Sequence, residues 1–313
     1  DARAAQRRCL INAAGYLLAG GRYDAAEAIL ARVAAETSGF ATLEPVAAAK
    51  VFSVRASGAL HSGDQAAAIG FYEQAIRAAA QAGDARTIGE MHGNLAATWA
   101  DLGQLDQAEA GLRKSLADGE RLELTHVRMW ALLNLGNVLT LCGRLDEARR
   151  AVTSALEFGR KQGDQRLEGG ALLYLSTVTF LAGELRDSEH RARLASEIVP
   201  TPLQPAALGA LARAVLAAGR VKEALQHARM ANELLATIGH VEDYESLVRL
   251  ILAEALHAAG EVEPARAALR AAHERLMARA GQIANTDWRA AFLTRLLDNA
   301  RTVHLAREWG LSP

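Results

Sequence analysis

Aromatic residues are scarce: Trp, Tyr and Phe make up 5% of the 313 residues, although 50% of the chain is hydrophobic. Alanine fills much of that apolar share, which argues against sheets, whose strands draw on β-branched and aromatic side chains, and for closely packed helices. Only Cys9 and Cys142 occur, far apart and outside any metal-ligand or CxxC spacing, so no disulfide framework or zinc site is encoded. Both read as small apolar side chains of a reducing compartment, and a cytoplasmic location is expected. Neither sign of charge is in excess: 35 Lys and Arg against 36 Asp and Glu leave a net charge of -1, with no whole-chain field to draw in nucleic acid or an anionic membrane. No apolar run approaches the roughly 20 residues that cross a bilayer, and no basic start precedes a signal-peptide core. The chain opens on Asp1 rather than Met, which points to a piece of something larger.

Catalytic signatures are missing too. There is no GxxxxGK[ST] phosphate loop, no GxGxxG after a strand, no HExxH and no GxSxG. The nine histidines are scattered, and the acidic residues are spread as on solvated helix faces. The expectation is a chain that is not an enzyme, with no cofactor and no metal.

What is present is repetition. Trp130 to Phe158 places apolar residues at helical spacing, breaks at Gly143, and restarts at Asp146, a residue type suited to capping a helix N-terminus. Its second half carries Ala148, Val152, Ala155 and Leu156 on one face. Comparable glycines stand at Gly21, Gly63, Gly103, Gly143, Gly183, Gly219 and Gly260, at spacings of 42, 40, 40, 40, 36 and 41. A second series of loop signals lies half a period on, at Gly39, Gly83-Asp84, Gly163-Asp164, the prolines of 200–205, Gly239 and Gly281. Each repeat therefore holds two helices, and neither is apolar enough all round to form a core alone.

Aligning the seven glycines exposes columns. Eight residues earlier stand Ala13, Arg55, Leu95, Leu135, Leu175, Leu211 and Leu252, followed by Ala14, Ala56, Ala96, Gly136, Ser176, Ala212 and Ala253. Five residues after each glycine come Ala26, Ala68, Ala108, Ala148, Ser188, Ala224 and Ala265. Small side chains on both helices let the pair cross at short range. This pattern resembles the tetratricopeptide repeat (TPR), with Leu-Gly in its first helix and Ala in its second. The forty-residue period and the starts at Asn94-Leu95 and Asn134-Leu135 are similar to the subgroup of kinesin light chains and of sensor regions in bacterial signalling ATPases, kinases and maltotriose-responsive activators.

The resemblance implies an all-α, right-handed α-solenoid of about seven helix pairs. Repeats are expected near 3–38, 44–82, 84–120, 124–162, 164–199, 203–239 and 241–281. A single capping helix follows within 286–313, carrying Trp288, Phe292, Leu297 and Trp309. It also implies that first helices line a concave groove, into which two columns point. These read Asn12, Val54, Asn94, Asn134, Tyr174, Ala210, Ile251 and Gly15, Ser57, Ala97, Asn137, Thr177, Arg213, Glu254. An asparagine amide both donates and accepts, which suits holding the main chain of an extended peptide. The candidate partner-binding residues are Asn94, Asn134, Asn137, Tyr174, Arg213 and Asn12. Arg8 with Asn12 resembles half of a carboxylate clamp, and Trp130 and Phe180 read as packing or as apolar anchors. The function expected is a regulatory scaffold binding a peptide or partner segment, from a larger bacterial signalling protein. The alternatives are a sensor of a small sugar or peptide pheromone controlling an attached effector, and a structural array whose outer faces self-associate.

Overall fold

The computed structural model describes residues 2–19, 22–40, 42–199, 203–238 and 244–311. Among them are sixteen α-helices and no strand. Seven pairs run in order: α1 (Ala2–Ala19) with α2 (Tyr23–Glu36), α3 (Pro45–Ser62) with α4 (Gln65–Ala82), α5 (Ala85–Asp101) with α6 (Leu105–Arg121), α7 (Thr125–Leu141) with α8 (Leu145–Gln162), α9 (Gln165–Leu181) with α10 (Leu185–Ile198), α11 (Gln204–Ala217) with α12 (Val221–Ile238), and α13 (Glu245–Ala258) with α14 (Val262–Gln282). Two more helices close the chain, α15 (Thr286–Thr294) and α16 (Leu297–Glu308).

The chain forms two compact units, Asp1–Thr98 with Ala110–Arg128, and Trp99–Glu109 with Met129–Pro313. In the first, Ile11, Leu30, Val33, Val51 and Val54 make a core under α1 to α3, and Ala56, Ala68, Tyr72, Ala75 and Met91 make another. In the second, a continuous core runs from Met129 to Ala265, and the first helices α9, α11 and α13 pack side by side. The two small columns are buried in every repeat, because they are where the paired helices touch. A β-carbon on Gly136 would run into Val152, the contact that forces the smallest residue there.

Both glycine series do conformational work. Gly63, Gly103, Gly143, Gly183, Gly219 and Gly260 adopt φ of 70–81°, and Gly39, Gly83 and Gly163 adopt 67–70°. That left-handed turn ends one helix and is costly for any residue with a β-carbon. After Gly63, Gly83 and Gly163 an aspartate caps the next helix, Asp64 accepting from the Ala67 N–H at 2.9 Å, Asp84 from Thr87 at 3.1 Å and Asp164 from Leu167 at 3.0 Å. Gly21, Gly239 and residues 200–202 of the proline cluster lie outside the described residues.

Three details, at Asp146, at Gly281 and in the terminal segment, differ from the sequence expectation. Asp146 does not cap α8: the cap position is Arg144, and Asp146 lies in the first turn, where its charge still favours the helix N-terminus. Arg144 instead grips Glu147 and reaches Glu109. Gly281 is no loop, because α14 continues to Gln282 and the chain turns extended only at Ile283. The third repeat turns at Glu123, a non-glycine residue held at φ 56°, where the second series has no glycine.

The terminal segment is two helices rather than one. The Asn299 amide donates to the Phe292 carbonyl at 2.9 Å, ending α15, and Leu296 is extended. This break lets α16 lie on α13 and α14, with Leu305 among Leu250, Ala253 and Leu269. Meanwhile α15 reaches the turn between α5 and α6: Trp288 meets Trp99 edge-on at 4.8 Å, and Arg295 donates to the Gly103 carbonyl at 3.4 Å.

Candidate functional site

Within the second unit, α9, α11, α13 and α16 enclose a cleft of about 440 Å³, a size in the range of small-ligand sites. The repeat explains its construction. Equivalent faces of three successive first helices lie side by side, so equivalent positions form a row. Phe180, Leu216 and Ile251 supply apolar surface, and α16 adds Leu305 and Trp309 on the opposite wall.

Charge is concentrated above that surface. Arg213 donates from Nη2 to the Thr177 hydroxyl at 2.9 Å and lies over the Phe180 ring at 4.7 Å, which fixes the guanidinium plane. Its nearest carboxylate oxygen, Asp298 Oδ1 on α16, is 3.7 Å away, longer than a hydrogen bond. The Nε of Arg213 is buried with no acceptor among the described residues. One turn of α13 carries Glu254, which accepts from Arg301 Nε at 3.1 Å, and His257, whose ring lies 4.8 Å from that of Trp309. Burial pushes the carboxyls of Asp298 and Glu254 above their ordinary range, with Arg213 and Arg301 pulling them back.

The sequence columns meet this geometry unevenly. Of the successive column members Thr177, Arg213 and Glu254, the last two line the cleft, and Thr177 holds Arg213 by its hydroxyl. Ile251, from the other column, joins them. Tyr174 does not line a free surface: it is 9% exposed and its ring packs 6.2 Å from Tyr244. Asn134 and Asn137 are half-buried on α7, while Asn94 and Asn12 are exposed in the first unit. Arg8, which forms the half-clamp with Asn12, faces Glu44 at 3.4 Å. Trp130 is half-buried against the core, beneath Arg166 at 5.4 Å. Sequence reasoning missed Asp298 and Arg301, because it treated the terminal segment as a cover. Their spacing of three on one helix, four before Leu305, was the available signal.

No group of three His, Cys, Asp or Glu among the described residues could hold a metal ion, and no helix among them is long and apolar enough to cross a membrane. The arrangement offers a fixed cation, two strained carboxyls and aromatic surface, a chemistry of binding.

A model of the tetratricopeptide repeat matches residues 7–32, 91–114, 129–152, 205–230 and 246–271, each covering one helix pair in part. The chain carries tetratricopeptide (TPR) repeats at these five places. The two unmatched TPR pairs are those with Arg55 in the leucine column and with Ser176 and Ser188 in the small columns. No curated protein matches this chain. Among solved structures, this TPR array is similar to NprR in complex with its cognate peptide NprX (12% identity, TM-score 0.68, 98% of this chain and 88% of that one). It is also similar to a Rap protein complexed with competence and sporulation factor (14%, 0.62, 97% and 99%). A third is the Rap conjugation gene regulator of plasmid pLS20 in complex with the Phr* peptide (13%, 0.62, 98% and 99%). At these identities the likeness concerns the fold.

Proposed function

We propose that this TPR protein is a regulatory scaffold, not an enzyme, that takes a short peptide or an extended partner segment on its first-helix face. The observation that carries this reading is Arg213, held by Thr177, beside Glu254 above an apolar floor, in a cleft that no other part of the described chain fills. The complexes of NprR and of the two Rap proteins with peptides support it, since the same fold serves peptide recognition there. Arg213 is the anchor. Asn134 and Asn137, on α7 of the same unit, hold main-chain groups, Tyr174 backs the face from within, and Asn94 and Asn12 are candidate contacts of the first unit taken by itself. Residues 1–285 act as the repeat array and 286–313 as its cap, in a cytoplasmic signalling protein of bacterial type.

The test is retention of a randomised hexapeptide pool on the full chain, read by mass spectrometry. A Phe180→Ala, Arg213→Ala double variant should lower retention at least tenfold while the helical signal is kept. Equal retention by the variant contradicts the site.

A further inference from the structure

Arg213 is a binding group whose own chain serves it poorly. Its plane is set by Thr177 and Phe180, its Nε has no acceptor, and its side chain is 13% exposed. The nearest carboxylate among the described residues, Asp298, stops at 3.7 Å. A guanidinium held this way in a cleft is suited to a carboxylate that can approach to hydrogen-bonding distance, where paired N–H donors match its two oxygens.

We propose that Arg213 is the seat for a carboxylate of the bound peptide, and that Asp298 is an intramolecular stand-in which the ligand displaces. The proposal rests on the peptide-binding reading above. One feature makes displacement cheap. The Asp298 carboxylate makes no hydrogen bond with the described residues and only a long contact with Arg213, so a rotation of its side chain breaks no hydrogen bond. The scaffold stays in place meanwhile: Arg301, one turn further along α16, remains bonded to Glu254, and Leu305 remains in the core. The stand-in thus tunes affinity. A ligand without a carboxylate cannot dislodge Asp298, whereas one with a carboxylate replaces a long contact by short ones.

The carboxylate can come from a peptide C-terminus or from an Asp or Glu side chain, and the test separates them. Hexapeptide pools randomised at every position are made with free C-terminal carboxylates or as amides, each including or omitting Asp and Glu. They are passed over the immobilised full chain and its Asp298→Asn, Asp298→Ala and Arg213→Gln variants, each checked for its helical signal. The expected result is retention of carboxylate-bearing pools only, raised about tenfold by both Asp298 variants, which remove the competitor, and lost with Arg213→Gln. Whichever carboxylate-bearing arm is retained names the source. Retention of the amidated, Asp- and Glu-free pool as strongly as the others, or no change with either Asp298 variant, overturns this inference and leaves the peptide-binding reading standing. Retention of no pool by any protein overturns both.

Discussion

Ser176 and Ser188 bond each other's main chain across the fifth helix pair, Ser176 Oγ donating to the Ser188 carbonyl at 3.0 Å and Ser188 Oγ to the Ser176 carbonyl at 2.9 Å. Both stand in columns occupied elsewhere by Ala or Gly, and both are buried. A hydroxyl at either position alone would lack its partner's oxygen contact, although a carbonyl remains. Replacing one serine by Ala should cost about 1 kcal/mol, and replacing both should cost less than the sum. Urea unfolding of the two single variants and the double variant measures this. Strict additivity would mean that the two serines act separately.

The docking of α15 can be isolated with two glycines of the same conformation. Gly103 and Gly143 have φ of 70° and 75°, but a β-carbon on Gly103 would lie 2.7 Å from the Ala291 carbonyl oxygen, while one on Gly143 would meet nothing within 4 Å. Both substitutions by Ala incur the left-handed strain, about 1 kcal/mol. Only Gly103→Ala should also separate Trp288 from Trp99, seen as loss of the near-ultraviolet circular dichroism of that pair. Identical spectra for the two variants would show that α15 does not depend on this contact.

Glu123 holds a turn built for glycine, with the Leu124 N–H reaching the Gly119 carbonyl at 2.8 Å. Glu123→Gly should therefore stabilise the protein by about 1 kcal/mol, since relief of left-handed strain outweighs the added freedom of the unfolded chain. The check is the urea midpoint. A fall in midpoint would contradict the strain.

The fold was legible because each repeat must solve the same packing problem, so small residues and glycines recur at the helix crossings and turns. Glu123 was hidden because nothing in a glutamate announces a positive φ. The candidate site was half legible. The column of Thr177, Arg213 and Glu254 follows from the repeat register, whereas Asp298 and Arg301 depend on where α15 breaks, and that is decided by the Asn299 bond to Phe292 and the docking at Gly103. Tyr174 was misleading because its column points to the groove in the register, yet Tyr244, at the start of α13 two pairs on, packs against it.

Stability should report the strain at Asp298. Its folded carboxyl sits above the ordinary value of 3.8, raised by burial against the pull of Arg213, so between 3.8 and the folded pKa the folded state binds more proton than the unfolded state. The destabilisation is present in full above the folded pKa and fades as the pH falls towards 3.8. Asp298→Asn should accordingly raise Tm at pH 7, with a gain that shrinks on acidification to about pH 4. A gain that grows on acidification would mean that Arg213 stabilises the aspartate more than burial opposes it.

The most direct measurement is amide hydrogen exchange of the full chain, with and without the hexapeptide it retains most strongly. The account predicts added protection in α11, α13 and α16, around Arg213, Glu254 and Asp298, with the second helices α10, α12 and α14 unchanged. Protection confined to those second helices, or none at all, would contradict it.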